Sequence, residues 1–163
     1  MEGGHGSFGI VVARPEIIRA LANLNGILNL APAGIGATLA LELVRSGEII
    51  RVSRDLVEPY YRERMEQALG WLREELAGLS YRVHKPEGAL FLWLWIEGLK
   101  ISSRELYGRL KKRNVLVIAG EYFFPGLAEE WPHRHECIRI TYAQEPESVR
   151  RGIRIIGEEL RML

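Results

Sequence analysis

The chain has 163 residues, 47% hydrophobic and 26% charged, enough for one domain with a true core and too ordinary for a fibrous or disordered protein. A formal net charge of +1 supplies no field of one sign, so nothing points to nucleic acid or a membrane surface as a partner. A single cysteine, Cys137, excludes a disulfide framework, and no apolar run suits a spanning helix or a signal sequence, so the chain reads as soluble and cytoplasmic.

Near the start, Gly4-His5-Gly6-Ser7-Phe8-Gly9 spells G-x-G-x-x-G. A phosphate-cradling loop of this type follows a strand and opens a helix. Here no strand precedes it, and Ile10 to Ala13 after it reads as a short strand, so the glycines are a flexible lead-in. Pro15 opens a helix with the stripe Ile17, Ile18, Leu21 and Leu24, and Asn25-Gly26 is expected to close it. Pro32 suits the start of a second helix and Gly47 its stop. The front half of this segment, Ala31 to Ala37, is almost bare of side chains, suited to packing on another backbone or lining a space that something else enters. The longest helical pattern runs from Ser53 to Leu79, on Val57, Tyr61, Met65, Ala68, Leu72, Leu76 and Leu79. Pro59 either starts this helix or kinks it.

The period then changes from helical to two. Tyr81 to Lys85 alternates, Pro86-Glu87-Gly88 turns, and Ala89 to Ile96 is a solid apolar strand, together an antiparallel hairpin. Ser102 and Glu105 form a capping box for a helix on Leu106, Tyr107 and Leu110. Val115 to Ile118 reads as a short buried strand, and a loop rich in aromatics follows from Glu121 to His135. Cys137 to Tyr142 is a strand, and Pro146 starts a last helix on Val149, Ile153, Ile156 and Leu160. The fold class expected is α+β, a small mixed or antiparallel sheet covered by helices on one face. Residues 1–52 hold one strand and two helices with no second strand to pair, so that part reads as incomplete.

Three groups of residues could carry chemistry. Arg139 lies inside an apolar strand, sharing a face with Cys137 and Thr141 while Ile138, Ile140 and Tyr142 take the other. It is either an outward arginine on a half-exposed sheet or a bidentate anchor for a carboxylate. His133, His135 and Cys137 form H-x-H-x-C, which an extended segment would present on one face as zinc-ligand types. No fourth ligand is in view, so the histidines read as hydrogen-bonded loop residues and no metal is expected. Phe91, Trp93 and Trp95 alternate on one face and read as core, or as packing against the long helix, in preference to a ligand platform. No Ser-His-Asp order, metalloprotease motif or P-loop occurs.

The stretches HKPEGALFLWLWIEGL and NVLVIAGEYFFPGLAEEWPHRHECIRITYA, with the capped helix between them, resemble the C-terminal part of class I aminotransferases, and among these the valine–pyruvate aminotransferases. A P-x-G-A-x-F-x-W strand, a V-L-V loop with F-F-P-G and an apolar-Arg-apolar strand occur in that family in this order. The likeness runs from about Phe8 to the C-terminus. It implies a pyridoxal phosphate (PLP) enzyme of the aspartate aminotransferase fold, dimeric, moving an amino group between an amino acid and a 2-oxo acid. The family's substrate-carboxylate arginine falls on Arg139. Its Schiff-base lysine precedes the strand matched by Gly9 to Ala13, followed by an arginine for the cofactor phosphate. Here Ser7 or a neighbour takes that arginine's place, and no lysine occurs before Lys85.

The resemblance thus implies a large-domain remnant at residues 1–52, a small domain at residues 53–163, and half a substrate site at Arg139. It implies no catalytic residue and no covalent PLP, because transamination needs an amine and Lys85, Lys100, Lys111 and Lys112 sit where solvation suffices. The implied partners are an amino acid or 2-oxo acid carboxylate, and a second copy or a large-domain polypeptide, with no nucleic acid and no membrane. The alternative is a non-catalytic binding or dimerisation module derived from such a small domain.

Overall fold

The computed structural model describes residues 11–28, 35–88 and 90–163. The glycine motif and most of the bare segment from Ala31 to Ala37 lie outside the described residues. The chain forms two compact units that divide between Asp55 and Leu56.

The first unit is helical. Helix α1 (Pro15–Leu28) has Pro15 at its start as expected, yet it runs through Asn25-Gly26 rather than stopping there. Each further residue adds a hydrogen bond to a helix already nucleated, which outweighs the roughly 1 kcal/mol that glycine costs. Val11 to Arg14 form no strand, contrary to the sequence expectation. A strand exists only through a ladder partner, and the described residues supply none. Helix α2 (Ile35–Arg45) ends at Ser46 and Gly47; Gly47 adopts φ 73°, where a side chain would be strained. Helix α3 (Glu48–Val52) follows directly.

A π-helical turn, Ser53–Val57, leads into helix α4 (Glu58–Glu75), with Pro59 in its first turn, where a missing N–H costs nothing. Ala68, Leu72 and Leu76 are buried, four residues apart, as the helical pattern predicts. Strands β1 (Tyr81–Val83) and β2 (Phe91–Ile96) form the antiparallel hairpin, with Tyr81 opposite Ile96. Ser102 Oγ accepts from the Glu105 N–H at 3.1 Å and opens helix α5 (Ser103–Lys112). Strand β3 is only Ile118–Ala119, shorter than expected. Leu116 is 71% exposed, because an edge strand with one neighbour needs to pair only where that neighbour reaches. A 3₁₀ turn (Gly120–Phe123), a short helix α6 (Pro132–Glu136), strand β4 (Cys137–Thr141) and helix α7 (Pro146–Arg161) complete the chain.

The four strands pair antiparallel throughout, in the order β1-β2-β4-β3. Leu92, Leu94 and Ile96 of β2 and Ile138 and Ile140 of β4, with Tyr142 beyond it, form one face. They share a single core with Leu72 and Leu76 of α4, Leu106 and Leu110 of α5, and Ile153, Ile156 and Leu160 of α7. Each such side chain contributes about 1.5–3 kcal/mol by leaving water. The helical cover lies on this face, which leaves the other face of β2 and β4 to the loop between β3 and β4. Among the described residues no helix is long and apolar enough to cross a membrane.

Candidate functional site

The second face of the sheet carries Phe91, Trp93 and Trp95 from β2 and Arg139 from β4. The expectation that these aromatics are core or pack on the long helix is not met. It is Leu92, Leu94 and Ile96 that turn into the helical core, and Phe91 remains 40% exposed. A strand apolar on both faces has no period to show which face meets the helices.

Arg139 stands directly across from Trp93 in the β2–β4 ladder, with Ile118 on its other side. Its guanidinium carbon lies 4.0 Å from the ring centroid of Phe91 and 4.9 Å from that of Phe123. Each such contact is worth about 0.5–1 kcal/mol at an exposed site and about 2 when desolvated. Among the described residues Arg139 has no ion pair and no hydrogen-bonded side-chain partner. Two arginines of α5 are arranged otherwise: Arg104 pairs with Glu121 at 3.3 Å, and Arg109 with Glu105 at 2.9 Å.

Phe123 is held in place by its own turn. A Cβ on Gly120 would lie 2.7 Å from the Cys137 carbonyl oxygen and 2.8 Å from that of Arg134, so only glycine lets the turn dock there. Glu121 is anchored by Arg104 and by His135 Nδ1 at 3.2 Å. Trp93 then meets Phe123 edge to face at 5.1 Å and Phe124 at 6.1 Å.

The H-x-H-x-C residues do not converge. Because Pro132–Glu136 is helical rather than extended, His133 meets Cys137 one turn on, with Nε2 3.4 Å from Sγ. His135 instead joins Glu121 and Glu130, the latter at 3.3 Å. Among the described residues no three metal-ligating side chains gather. Cys137 is fully buried, and that burial pushes its thiol up to about 12 against the opposing hydrogen bond from Trp93. His133 stacks on Trp131 at 4.6 Å and meets Trp95 edge-on at 4.8 Å. The Trp95 indole donates to Glu136 at 2.7 Å, so the polar atom of this wall is satisfied.

All four lysines are exposed. Lys85 pairs with Glu87 at 3.0 Å, Lys100 donates to the Leu163 carbonyl at 2.6 Å, and Lys111 lies over the Tyr107 ring. All four being exposed, none is desolvated in an apolar pocket, a condition that makes a lysine amine nucleophilic.

The family model for class I and II aminotransferases matches residues 6–156. The chain belongs to this family. It is 43% identical over 152 residues to the valine–pyruvate aminotransferase of Escherichia coli (strain K12), covering 93% of this chain and 36% of that protein. The crystal structure of valine–pyruvate aminotransferase from Salmonella typhimurium LT2 matches with a TM-score of 0.80 at 42% identity, over 90% of this chain and 38% of that one. A putative amino-acid aminotransferase from Psychrobacter arcticum 273-4 matches with a TM-score of 0.84 at 40% identity, over 93% and 35%. The chain therefore spans little more than a third of the length of these relatives.

Sequence reasoning singled out Arg139, named Phe91 only as a core residue, and did not single out Phe123. The signal for Phe91 was present: two alternating strands, paired, bring the Phe91 face onto the Arg139 face. Phe123 carried no such signal, since its position comes from the docking of an irregular turn.

Proposed function

We propose that this chain is the C-terminal part of a class I aminotransferase, with residues 53–163 as the small domain and residues 1–52 as a piece of the large cofactor domain. In this reading Arg139 takes the carboxylate of an amino acid or 2-oxo acid. The supporting observation is a guanidinium seated over two phenyl rings with no acidic partner among the described residues. A planar fork of N–H donors matches a carboxylate in two hydrogen bonds, fixing the substrate's orientation as well as binding it. The likeness to valine–pyruvate aminotransferases suggests an aliphatic amino acid and pyruvate as the pair.

In this family pyridoxal phosphate supplies the electron sink for amino-group transfer. The residues of this chain do not fit its covalent attachment, because every lysine is exposed and three have surface partners of their own. The chain alone is therefore read as inactive, contributing the carboxylate half of a site that a large-domain polypeptide completes in the cytoplasm.

A chimera tests this reading. The stretch of the Escherichia coli enzyme matched by this chain is replaced with it, and transfer from valine to pyruvate is assayed. The chimera is expected to turn over, and Arg139→Ala to raise KM for valine by about 10–100-fold, the range for losing a charged hydrogen-bonding partner. A folded chimera that binds cofactor but shows no turnover favours the second reading, a non-catalytic binding or dimerisation module. The observation favouring that reading is the exposed apolar stripe of α1, where Ile17 is 42% and Leu24 50% exposed.

A further inference from the structure

We infer that Phe91 and Phe123 are positioning residues for the substrate carboxylate, holding the Arg139 guanidinium over their rings in place of an acidic partner; this rests on the reading of Arg139 above. An arginine that must bind a carboxylate needs a support, since a free side chain spends most of its time in unproductive rotamers. A neighbouring aspartate or glutamate would supply one, but would occupy the same N–H fork that the substrate needs. A phenyl ring does not compete. It attracts the cation through its π face and offers no acceptor to the in-plane donors.

Arginines of this unit are supported in two ways, on carboxylates or over rings, the latter also seen where Arg64 lies 4.6 Å from the Tyr60 ring centroid. Arg104, Arg109 and Arg113 all reach glutamates: Glu121, Glu105, and Glu158 with Glu159. Arg139 has two phenyl rings at 4.0 and 4.9 Å instead. Both rings are themselves held. Phe91 is fixed by strand pairing opposite Thr141, and Phe123 by the edge of Trp93 at 5.1 Å and by the turn that Gly120 docks. The aromatic surroundings also exclude water from one side of the guanidinium, which strengthens a charge pair formed there.

The experiment titrates the 2-oxo acid of valine into the full chain and follows the Trp93 indole N–H by NMR, Trp93 being the cross-strand partner of Arg139. Arg139→Ala is expected to abolish binding. The double variant Phe91→Leu/Phe123→Leu is expected to weaken it by about tenfold. Tyrosine at both positions keeps the ring faces and is expected to restore binding to within about twofold of wild type. Circular dichroism melts check that each variant is folded. If the double variant is not folded, Phe123→Leu alone decides by the same comparison, because Phe123 lies outside the sheet ladder. Loss of binding in Arg139→Ala with wild-type binding in the leucine variants overturns the positioning role and leaves the anchor intact. Absence of binding in wild type, or unchanged binding in Arg139→Ala, overturns the anchor itself and this inference with it.

Discussion

Gly157 of α7 lies so close to α4 that a Cβ at this position would sit 2.5 Å from the carbonyl oxygen of Glu75. The same oxygen accepts a hydrogen bond from Arg161 at 2.6 Å. The last turn of α4 is thus tied to α7 by one close approach and one side-chain bond. Gly157→Ala removes the approach. Overfilling a packed contact costs about 1–3 kcal/mol, while alanine's better helix propensity returns about 1 at most. Urea denaturation is expected to show a net loss of stability; an unchanged or raised midpoint would show that α7 can shift without cost.

Arg139→Ala should be mild for the fold. Its contacts are two ring faces, so removal is expected to cost about 1–2 kcal/mol. Breaking a buried ion pair typically costs about 3–5 kcal/mol. Thermal and chemical melts separate these ranges. A loss in the upper range would make Arg139 a scaffold residue with an acidic partner.

The Cys137 thiol is predicted to be inert in the folded chain. It is fully buried and pushed from 9.0 up to about 12, so at pH 8 it carries almost no thiolate. Iodoacetamide is expected to leave it unmodified under native conditions and to label it once urea unfolds the chain. The sign of the pH effect follows. A folded thiol that holds its proton more tightly adds stability below the unfolded value of 9.0, and that contribution is lost as pH rises toward about 12. Cys137→Ala should flatten this part of the alkaline stability curve. Rapid native labelling would contradict the buried position.

Mixed with pyridoxal phosphate and reduced with borohydride, the chain is expected to show no stoichiometric adduct on a single lysine by intact mass. The reason is the exposure of Lys85, Lys100, Lys111 and Lys112. A full adduct at one of them would reveal an activated amine and overturn the reading of this chain as lacking covalent cofactor chemistry.

Features set by residues a few positions apart were legible in the sequence. The capping of α5 by Ser102, the stop at Gly47, the start of α7 at Pro146 and the inward set Ile138, Ile140 and Tyr142 each follow from local hydrogen bonding or from side-chain period. The motifs around Arg139 were enough to indicate the family. Tertiary structure decided the rest. Only docking of the Gly120 turn brings Phe123 to Arg139, and only the helical turn at Pro132–Glu136 sends His133 to Cys137 and His135 to Glu121. Which face of β2 meets the helices was decided in the same way, because both faces are apolar and only the three-dimensional supply of partners distinguishes them.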